Sequence, residues 1–335
     1  MFLFDNKTNI LIESNEITFK SEYYCDFFDF CKMREFLEMD ALQLSGGNFE
    51  GYISKLITEQ VMLELSQRNC LNKQEGLIHA NMWLFGIPVQ AKRVFFQNLY
   101  QVENNYIGII PPKKEFEVLQ TPFSHRFQLY VHEDYLNQSC QTLDLPEAKN
   151  FLNYSQCSIL TCSPEKIRSL QQSCHQLYQL SFDLESQQIA LRRKAISLKF
   201  IKQQLKEEIV KNFLLTLAEA QDVKPKKNTI RRTSILKQTE EMMKNSLYSD
   251  LTTSDICQAL EVSQRTLEYV FKDFYQISPK QYFKQLRLNA LHQCLNQNYH
   301  PPLIYEIAEK LGFFHRGQLA RDYQKLFGKL PSKIF

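Results

Sequence analysis

Two clusters of side chains near the carboxyl end hold donors and acceptors suited to recognition. One comprises Arg265, Glu268, Tyr269 and Lys272; the other comprises His315, Arg316, Gln318 and Arg321. In the first, helical spacing sends Leu267, Val270 and Phe271 to one side of a helix and the four polar residues to the other. In the second, Leu319 and Tyr323 form the apolar side. A guanidinium fork matches paired acceptors such as guanine O6 and N7. A carboxylate accepts from an amino group such as cytosine N4, and a tyrosine ring touches a thymine methyl or a phosphate. The competing reading of Glu268 is an i,i+4 pair with Lys272 on an ordinary solvated face. Gly317 offers either close backbone approach or simply a weak point in its helix.

Each cluster lies on the second of two short helical patterns joined by a tight break. Ile256, Cys257 and Leu260 form the first apolar face; Val262 and Ser263 interrupt it, and Ser263 suits the N-cap of the next helix. The pattern recurs about fifty residues later. Ile256 answers to Ile307, Cys257 to Ala308 and Leu260 to Leu311. Val262 answers to Phe313, just after Gly312, whose missing side chain suits a chain reversal. With one extra residue in the second turn, Leu267 answers to Leu319, Phe271 to Tyr323 and Pro279 to Pro331. Helices joined by so short a turn predict a helix-turn-helix, here in two copies. Ser278-Pro279 starts a connecting helix through Gln281, Leu286, Leu291 and Leu295, expected to hold the two readers ~34 Å apart. Lys280, Lys284 and Arg287 lie near its start, within reach of phosphates. Ile230–Leu247 is the expected first helix of the module, with Ile235, Leu236, Met242 and Met243 inward.

These residues resemble the tandem helix-turn-helix module of the AraC/XylS family of bacterial transcription regulators. The match rests on Ser263 and Leu267 followed by Phe271, on Ile277-Ser278-Pro279 and on Arg287-Leu288. Ile307-Ala308, Gly312-Phe313 and the run from Phe327 to Pro331 complete it. Glu261 departs from the glycine usual at that turn, so a strained turn or a positive φ at Glu261 is expected. The resemblance implies that Arg265, Glu268 and Tyr269 stand where family members contact bases, and that Arg287 is structural, making an internal salt link. In the second unit, Arg316 and Gln318 are expected at base edges and Arg321 at a base or phosphate.

A chain of 335 residues has room for two or three domains with sizeable cores. It has no apolar run of about eighteen residues, so no membrane span is expected. The amino terminus lacks a basic start and a small-residue cleavage site, which predicts a cytoplasmic, nucleoid-associated protein. Nine scattered cysteines without a C-x-x-C spacing read as small buried hydrophobes in a reducing compartment. A redox pair among Cys157, Cys162 and Cys174 is the alternative. The formal charge of +3 is unevenly divided: from residue 226 onward there are 17 Lys and Arg against 10 Asp and Glu. A basic carboxyl-terminal module on an acidic remainder suits phosphate binding at one end.

The expected fold class is α+β. A cupin-like β-barrel or sandwich over residues 1–160 would be a sensor domain, resembling the one that precedes the DNA module in many AraC-type proteins. A helical linker and dimerisation region over 161–222 and a flexible linker over 223–229 would follow, then an all-α DNA-binding domain over 230–335. Strand-like runs are Ala41–Leu44, Tyr52–Leu56, Gln60–Leu65, Gly76–Met82, Leu84–Pro88, Val94–Gln97, Tyr106–Ile110, Phe116–Leu119 and Phe127–Val131. Asp26–Glu38 reads as a short helix or irregular lead-in. His125, His132 and Glu133 come nearest to a metal set, but an odd separation points the two histidines to opposite faces of one strand. Trp83, Phe85, Phe95, Phe96 and Tyr100 read as core aromatics, with a cavity lining as the alternative. Leu191, Leu198 and Leu205 repeat every seven residues, with Ile201, Ile209, Phe213 and Leu217 on the same broad face. That stripe is either a dimer helix or a helix packed on its own domain.

The function expected is a sequence-specific regulator that binds double-stranded DNA as a homodimer and takes no cofactor. Its N-terminal domain would answer to a small-molecule effector. The alternative is a regulator whose N-terminal domain serves only protein contact, with a second copy or with RNA polymerase. A metal-dependent barrel enzyme fused to a DNA anchor is the third reading; the chain is expected not to be an enzyme.

Overall fold

The computed structural model describes residues 10–13, 17–32, 36–79, 81–90, 94–96, 100–102, 105–145, 157–186, 191–222, 227–296 and 301–331. The N-terminal part is two antiparallel sheets. Its strands in chain order are β1 (Ile10–Glu13), β2 (Thr18–Tyr24), β3 (Leu37–Gln43), β4 (Gly51–Ile57), β5 (Val61–Arg68), β6 (Asn72–Ile78) and β7 (Met82–Gln90). Then come β8 (Val94–Phe96), β9 (Tyr100–Val102), β10 (Tyr106–Ile110), β11 (Glu115–Gln120), β12 (Ser124–His132), β13 (Ser158–Thr161) and β14 (Gln221–Asp222). One sheet runs β1-β2-β4-β5-β12-β7-β10-β13-β14 and the other β3-β6-β11-β8-β9. Their facing sides share a cluster of Met62, Leu84, Ile110 and Tyr130 with Ile78, Phe116 and Val118. This is a sandwich of the expected class.

The outer face of the larger sheet is covered by helices. Earlier in the chain lie α1 (Phe27–Lys32) and α2 (Glu133–Thr142). The covering helices are α3 (Pro164–Ser186) and α4 (Leu191–Gln203), which passes through a π-helical turn at Gln204–Ile209 into α5 (Val210–Ala218). Covering both faces explains β5, which is buried along its whole length. Its Val61, Leu63 and Leu65 join the helix-facing cluster, while Met62 lies between the sheets, as the two-residue period of a strand requires.

The seven-residue leucine stripe serves that packing. Leu198, Ile201, Leu205, Ile209, Phe213 and Leu217 are all buried against the sheet, and the Phe213 ring lies 4.4 Å from Phe85. The π-turn adds one residue at mid-helix and rotates the apolar face back onto the sheet. Among the described residues of these helices the exposed large apolar side chains are instead Leu180, Ile196, Phe200 and Leu215. The side chain of Leu191 lies outside the described residues, as do those of Phe95, Phe96 and Tyr100. Trp83 and Phe85 stack in parallel at 6.0 Å inside the sheet–helix core.

Three sequence expectations are corrected. The run Gly76–Met82 is not one strand: β6 ends at Ile78 and β7 begins at Met82, separated by a turn with Asn81 at φ 70°. The N-terminal strands β1 and β2 carry no sharp turn signal and were not expected. The hinge expected over 223–229 is shorter, because α6 (Lys227–Asn245) already starts at Lys227; residues 223–226 lie outside the described set. Among the described residues, no helix is long and apolar enough to cross a membrane.

The last elements are α7 (Thr253–Ala259), α8 (Gln264–Tyr275), α9 (Pro279–Leu295), α10 (Pro301–Lys310) and α11 (Arg316–Phe327). They share their apolar clusters with the sheets. Leu44, Leu71 and Leu119 pack with Leu236, Leu267 and Phe271. Phe27, Phe30 and Phe49 pack with Leu291, Leu319 and Tyr323.

Candidate nucleic-acid interface

The two helix-turn-helix units close in the same way. Thr252 caps α7 through a capping box with Asp255. The turn then reverses through Glu261 at φ 50°, with Val262 N–H donating to Cys257 O at 3.0 Å. In the second unit Gly312 sits at φ 80°, and Phe313 N–H donates to Ala308 O at 2.8 Å. Both are left-handed helix ends whose last N–H groups return to the final turn. Glu261 takes the positive φ expected of it, a conformation that costs a residue with a Cβ more than a glycine.

The starts of the reading helices differ. Ser263 caps α8 by accepting from Thr266 N–H at 3.1 Å. His315 stands at the N-cap of α11 without a side-chain cap. The extra residue of the second turn is Phe314, 70% exposed.

All eight candidate residues, Arg265, Glu268, Tyr269, Lys272, His315, Arg316, Gln318 and Arg321, are exposed on their helices, opposite buried Leu267, Val270, Phe271, Leu319 and Tyr323. Glu268 does not pair with Lys272: it accepts from Gln264 Nε2 at 3.0 Å, while Lys272 Nζ reaches Gln276 O at 3.5 Å. Arg321 donates to Gln318 Oε1 at 2.9 Å.

Each unit also contains an arginine–tyrosine stack. Arg232 of α6 lies 4.9 Å over the Tyr269 ring and binds Asp273 at 2.5 Å. Arg316 lies 4.0 Å over the Tyr305 ring of α10. A guanidinium held over an aromatic face loses rotamer freedom while its N–H edges still point outward in its own plane. The supporting residues Arg232 and Tyr305 were not singled out in the sequence; nothing in helical spacing marks a stack formed between helices.

The connecting helix carries the expected anchors. Ser278 caps it by accepting from Gln281 N–H, with Pro279 next in the chain. Arg287 is structural but does not make the expected salt link. It donates to two backbone carbonyls, Leu247 O at 3.1 Å and Ser249 O at 2.6 Å, and lies over the Phe283 ring. Lys284 binds Asp322 at 3.0 Å, tying the connecting helix to α11.

A buried ionic cluster joins the first unit to the sheets. Lys73 of β6, 2% exposed, lies 2.7 Å from Glu240 of α6 and 2.8 Å from Glu117 of β11. Burial alone would lower the Lys73 ammonium, but the surrounding carboxylates outweigh it and hold the pKa well above the usual value. Tyr282 donates to Glu240 at 2.7 Å and Tyr275 donates to the same oxygen.

The other chemistries considered fare differently. His125 and His132 sit near opposite ends of β12, ~23 Å apart along an extended strand. Among the described residues no cluster of three or more His, Cys, Asp or Glu can hold a metal ion. Cys157, Cys162 and Cys174 are free thiols; burial pushes the first two up to about 12, so they are not reactive thiolates.

Residues 256–335 match a family model described as a helix-turn-helix domain. Over 90 residues the chain is 34% identical to the HTH-type transcriptional regulator ArgR of Pseudomonas aeruginosa. Over 93 residues it is 29% identical to the XylDLEGF operon transcriptional activator of Pseudomonas putida. The carboxyl-terminal module belongs to the AraC/XylS family. The aligned region is 27% of this chain and 27% of the first relative, and 28% and 29% for the second. Among solved structures, the AraC-like transcriptional activator CuxR is 12% identical, covering 75% of this chain and 86% of that one, with a TM-score of 0.36. ToxT from Vibrio cholerae is 12% identical, covering 89% and 97%, with a TM-score of 0.29. The matched region thus includes α8 and α11, the second helix of each unit, and every one of the eight exposed candidates.

Proposed function

We propose that the chain is a sequence-specific DNA-binding transcription regulator, not an enzyme, whose two reading helices enter successive major grooves of one duplex. The observation that carries this is the exposure of eight polar side chains on two equivalent helix faces, each backed by its own buried apolar side. Arg265, Glu268 and Tyr269 read bases in the first unit, and Lys272 serves a phosphate. Arg316 and Gln318 read bases in the second, with His315 and Arg321 at bases or phosphate. The connecting helix, about 25 Å long at 1.5 Å per residue, spans part of the distance between grooves.

The N-terminal sandwich is the controlling domain, and a small-molecule effector is its input. What supports this is a cavity of about 610 Å³ between β3, β6, β11 and α6, with Lys73, Glu117 and Glu240 among its lining. An occupant there would touch the sandwich and α6 at once, and α6 packs on α8 through Leu236. Its volume is in the range of small-molecule sites. The second reading, an N-terminal domain serving only protein contact, is favoured by the exposed Ile196 and Phe200, one helical turn apart on α4. That pair is suited to a second copy of the chain, and RNA polymerase is the further partner of a regulator of this kind. We place the domains at 1–160, 161–222 and, from the start of α6, 227–335, and the protein with the nucleoid.

The experiment is selection of duplexes from a random-sequence pool by the full chain, followed by binding of Arg265→Ala and Arg316→Ala. Each substitution is expected to weaken binding by about 1–3 kcal/mol and to relax base choice in a different half of the selected site. Unchanged base preference in both variants would sink the assignment. Mass spectrometry of the native protein tests for a co-purifying effector.

A further inference from the structure

The two reading helices are repeats, yet they end differently. At the end of α8, Gln276 adopts the left-handed conformation, and its N–H donates to Lys272 O at 3.1 Å. Its side chain turns back so that Nε2 donates to Asp273 O at 3.3 Å. The first unit therefore caps one of its own unpaired final carbonyls.

The register that pairs Phe271 with Tyr323 places Gly328 opposite Gln276 and Lys325 opposite Asp273. Gly328 is also left-handed, and its N–H donates to Gln324 O at 2.8 Å, but it has no side chain to fold back. The Lys325 carbonyl instead accepts from Gly47 N–H of the N-terminal domain at 3.1 Å. The next carbonyl, Leu326 O, accepts from Gln43 Nε2 at 2.8 Å.

The fit admits no extra atoms. A Cβ on Gly46 would lie 2.3 Å from Lys325 O, and one on Gly328 would lie 1.9 Å from Asn48 Oδ1. The loop is itself anchored: Gln43 N–H donates to Asn289 Oδ1 at 2.9 Å, and Asn289 Nδ2 donates to Gln43 O at 3.0 Å.

We infer that the segment Gln43–Asn48 of the N-terminal domain is a working part of the second reading unit, setting the pitch of α11, and that the two halves of the DNA site are therefore controlled unequally. The first reader carries its own cap; the second is complete only while the loop is seated. Gln43 and Gly46 are positioning residues, acting on DNA through α11. Leu44 of the same segment packs with the first unit, so the inequality lies in the hydrogen bonds: losing the loop's two bonds uncaps the end of α11 and removes none at the end of α8. This rests on the DNA-reading function proposed above.

The test uses the full chain on a duplex selected from a random pool by the wild type, with hydroxyl-radical footprinting. Arg265→Ala and Arg316→Ala first assign each half of the footprint to its helix. Gln43→Met keeps the side-chain length and removes the donor; Gly46→Ala drives a methyl group at Lys325 O. Each is expected to weaken binding about tenfold, the cost of one such hydrogen bond. Each should lose protection in the Arg316 half while keeping the Arg265 half. Loss in both halves alike, or in neither, overturns the inference. The two substitutions act on different atoms, so a folding defect in one, seen by circular dichroism, leaves the other decisive. If the wild type enriches no duplex, the DNA-reading function itself fails, and this inference with it.

Discussion

At the scale of single residues, charge placement divides into two jobs. Exposed Arg265, Arg316 and Arg321 face solvent, while Lys73, Asp26 and Glu117 are spent on holding the molecule together. Asp26 sits 2.7 Å from Lys329 and 3.2 Å from His292 of α9. Burial alone would raise its carboxyl, but His292 and Lys329 outweigh burial and hold it well below the usual carboxylate range. A depressed folded-state pKa contributes stability above the unfolded value, near ~3.9, and that stability is lost as pH falls through the folded value. Thermal unfolding followed from pH 5 down to pH 2 should therefore show an acid-side loss that Asp26→Asn reduces. The remainder includes Glu117, whose carboxyl Lys73 and Lys237 also hold low against burial. Parallel curves for the two proteins would mean that this contact contributes nothing. Residue types at the reading faces were legible because exposure follows from helical phase. Arg232, Tyr305 and Gln43 were not, because their partners stand on other elements: Arg232 and Tyr305 stack across neighbouring helices, and Gln43 reaches the far end of the chain at Leu326.

At the scale of elements, the tandem units show how a turn's backbone is set locally. The family resemblance implied either a strained turn or a positive φ at Glu261, and Glu261 takes the second at φ 50°. Substituting Glu261→Gly should stabilise the chain by about 1 kcal/mol, since the penalty for a Cβ in that conformation disappears. Urea denaturation measures this, and a destabilised variant would show that Glu261 makes a compensating contact. The leucine stripe teaches the opposite lesson. A seven-residue spacing cannot say whether the apolar face meets a partner chain or its own sheet; Leu198 and Leu205 meet the sheet. The strand at Gly76–Met82 was misjoined for a similar reason, because apolar content continues across the turn at Asn81.

At the scale of the whole molecule, the notable feature is the absence of a clean seam. The sandwich and the DNA module share two apolar clusters, one for each helix-turn-helix unit. A signal generated in the sandwich has short routes to both readers. Among the described residues, the exposed apolar side chains of α4 are Ile196 and Phe200, at 64% and 50% exposure. If the chain self-associates, this patch is the place: Ile196→Glu with Phe200→Glu should convert dimer to monomer in sedimentation equilibrium without lowering Tm. A wild-type monomer at micromolar concentration would remove the dimer from the proposal.

The sequence alone determined the duplicated module, its two exposed polar helix faces and the sheet-rich character of the first half. Those follow from short-range rules: helical phase, capping residues and turn chemistry act within a few positions. Tertiary structure decided where the stripe of α4 points, what completes the end of α11, and which lysine lies at the centre of the buried ionic cluster. Each of those depends on groups brought together from more than a hundred residues apart, and no local pattern encodes such a meeting.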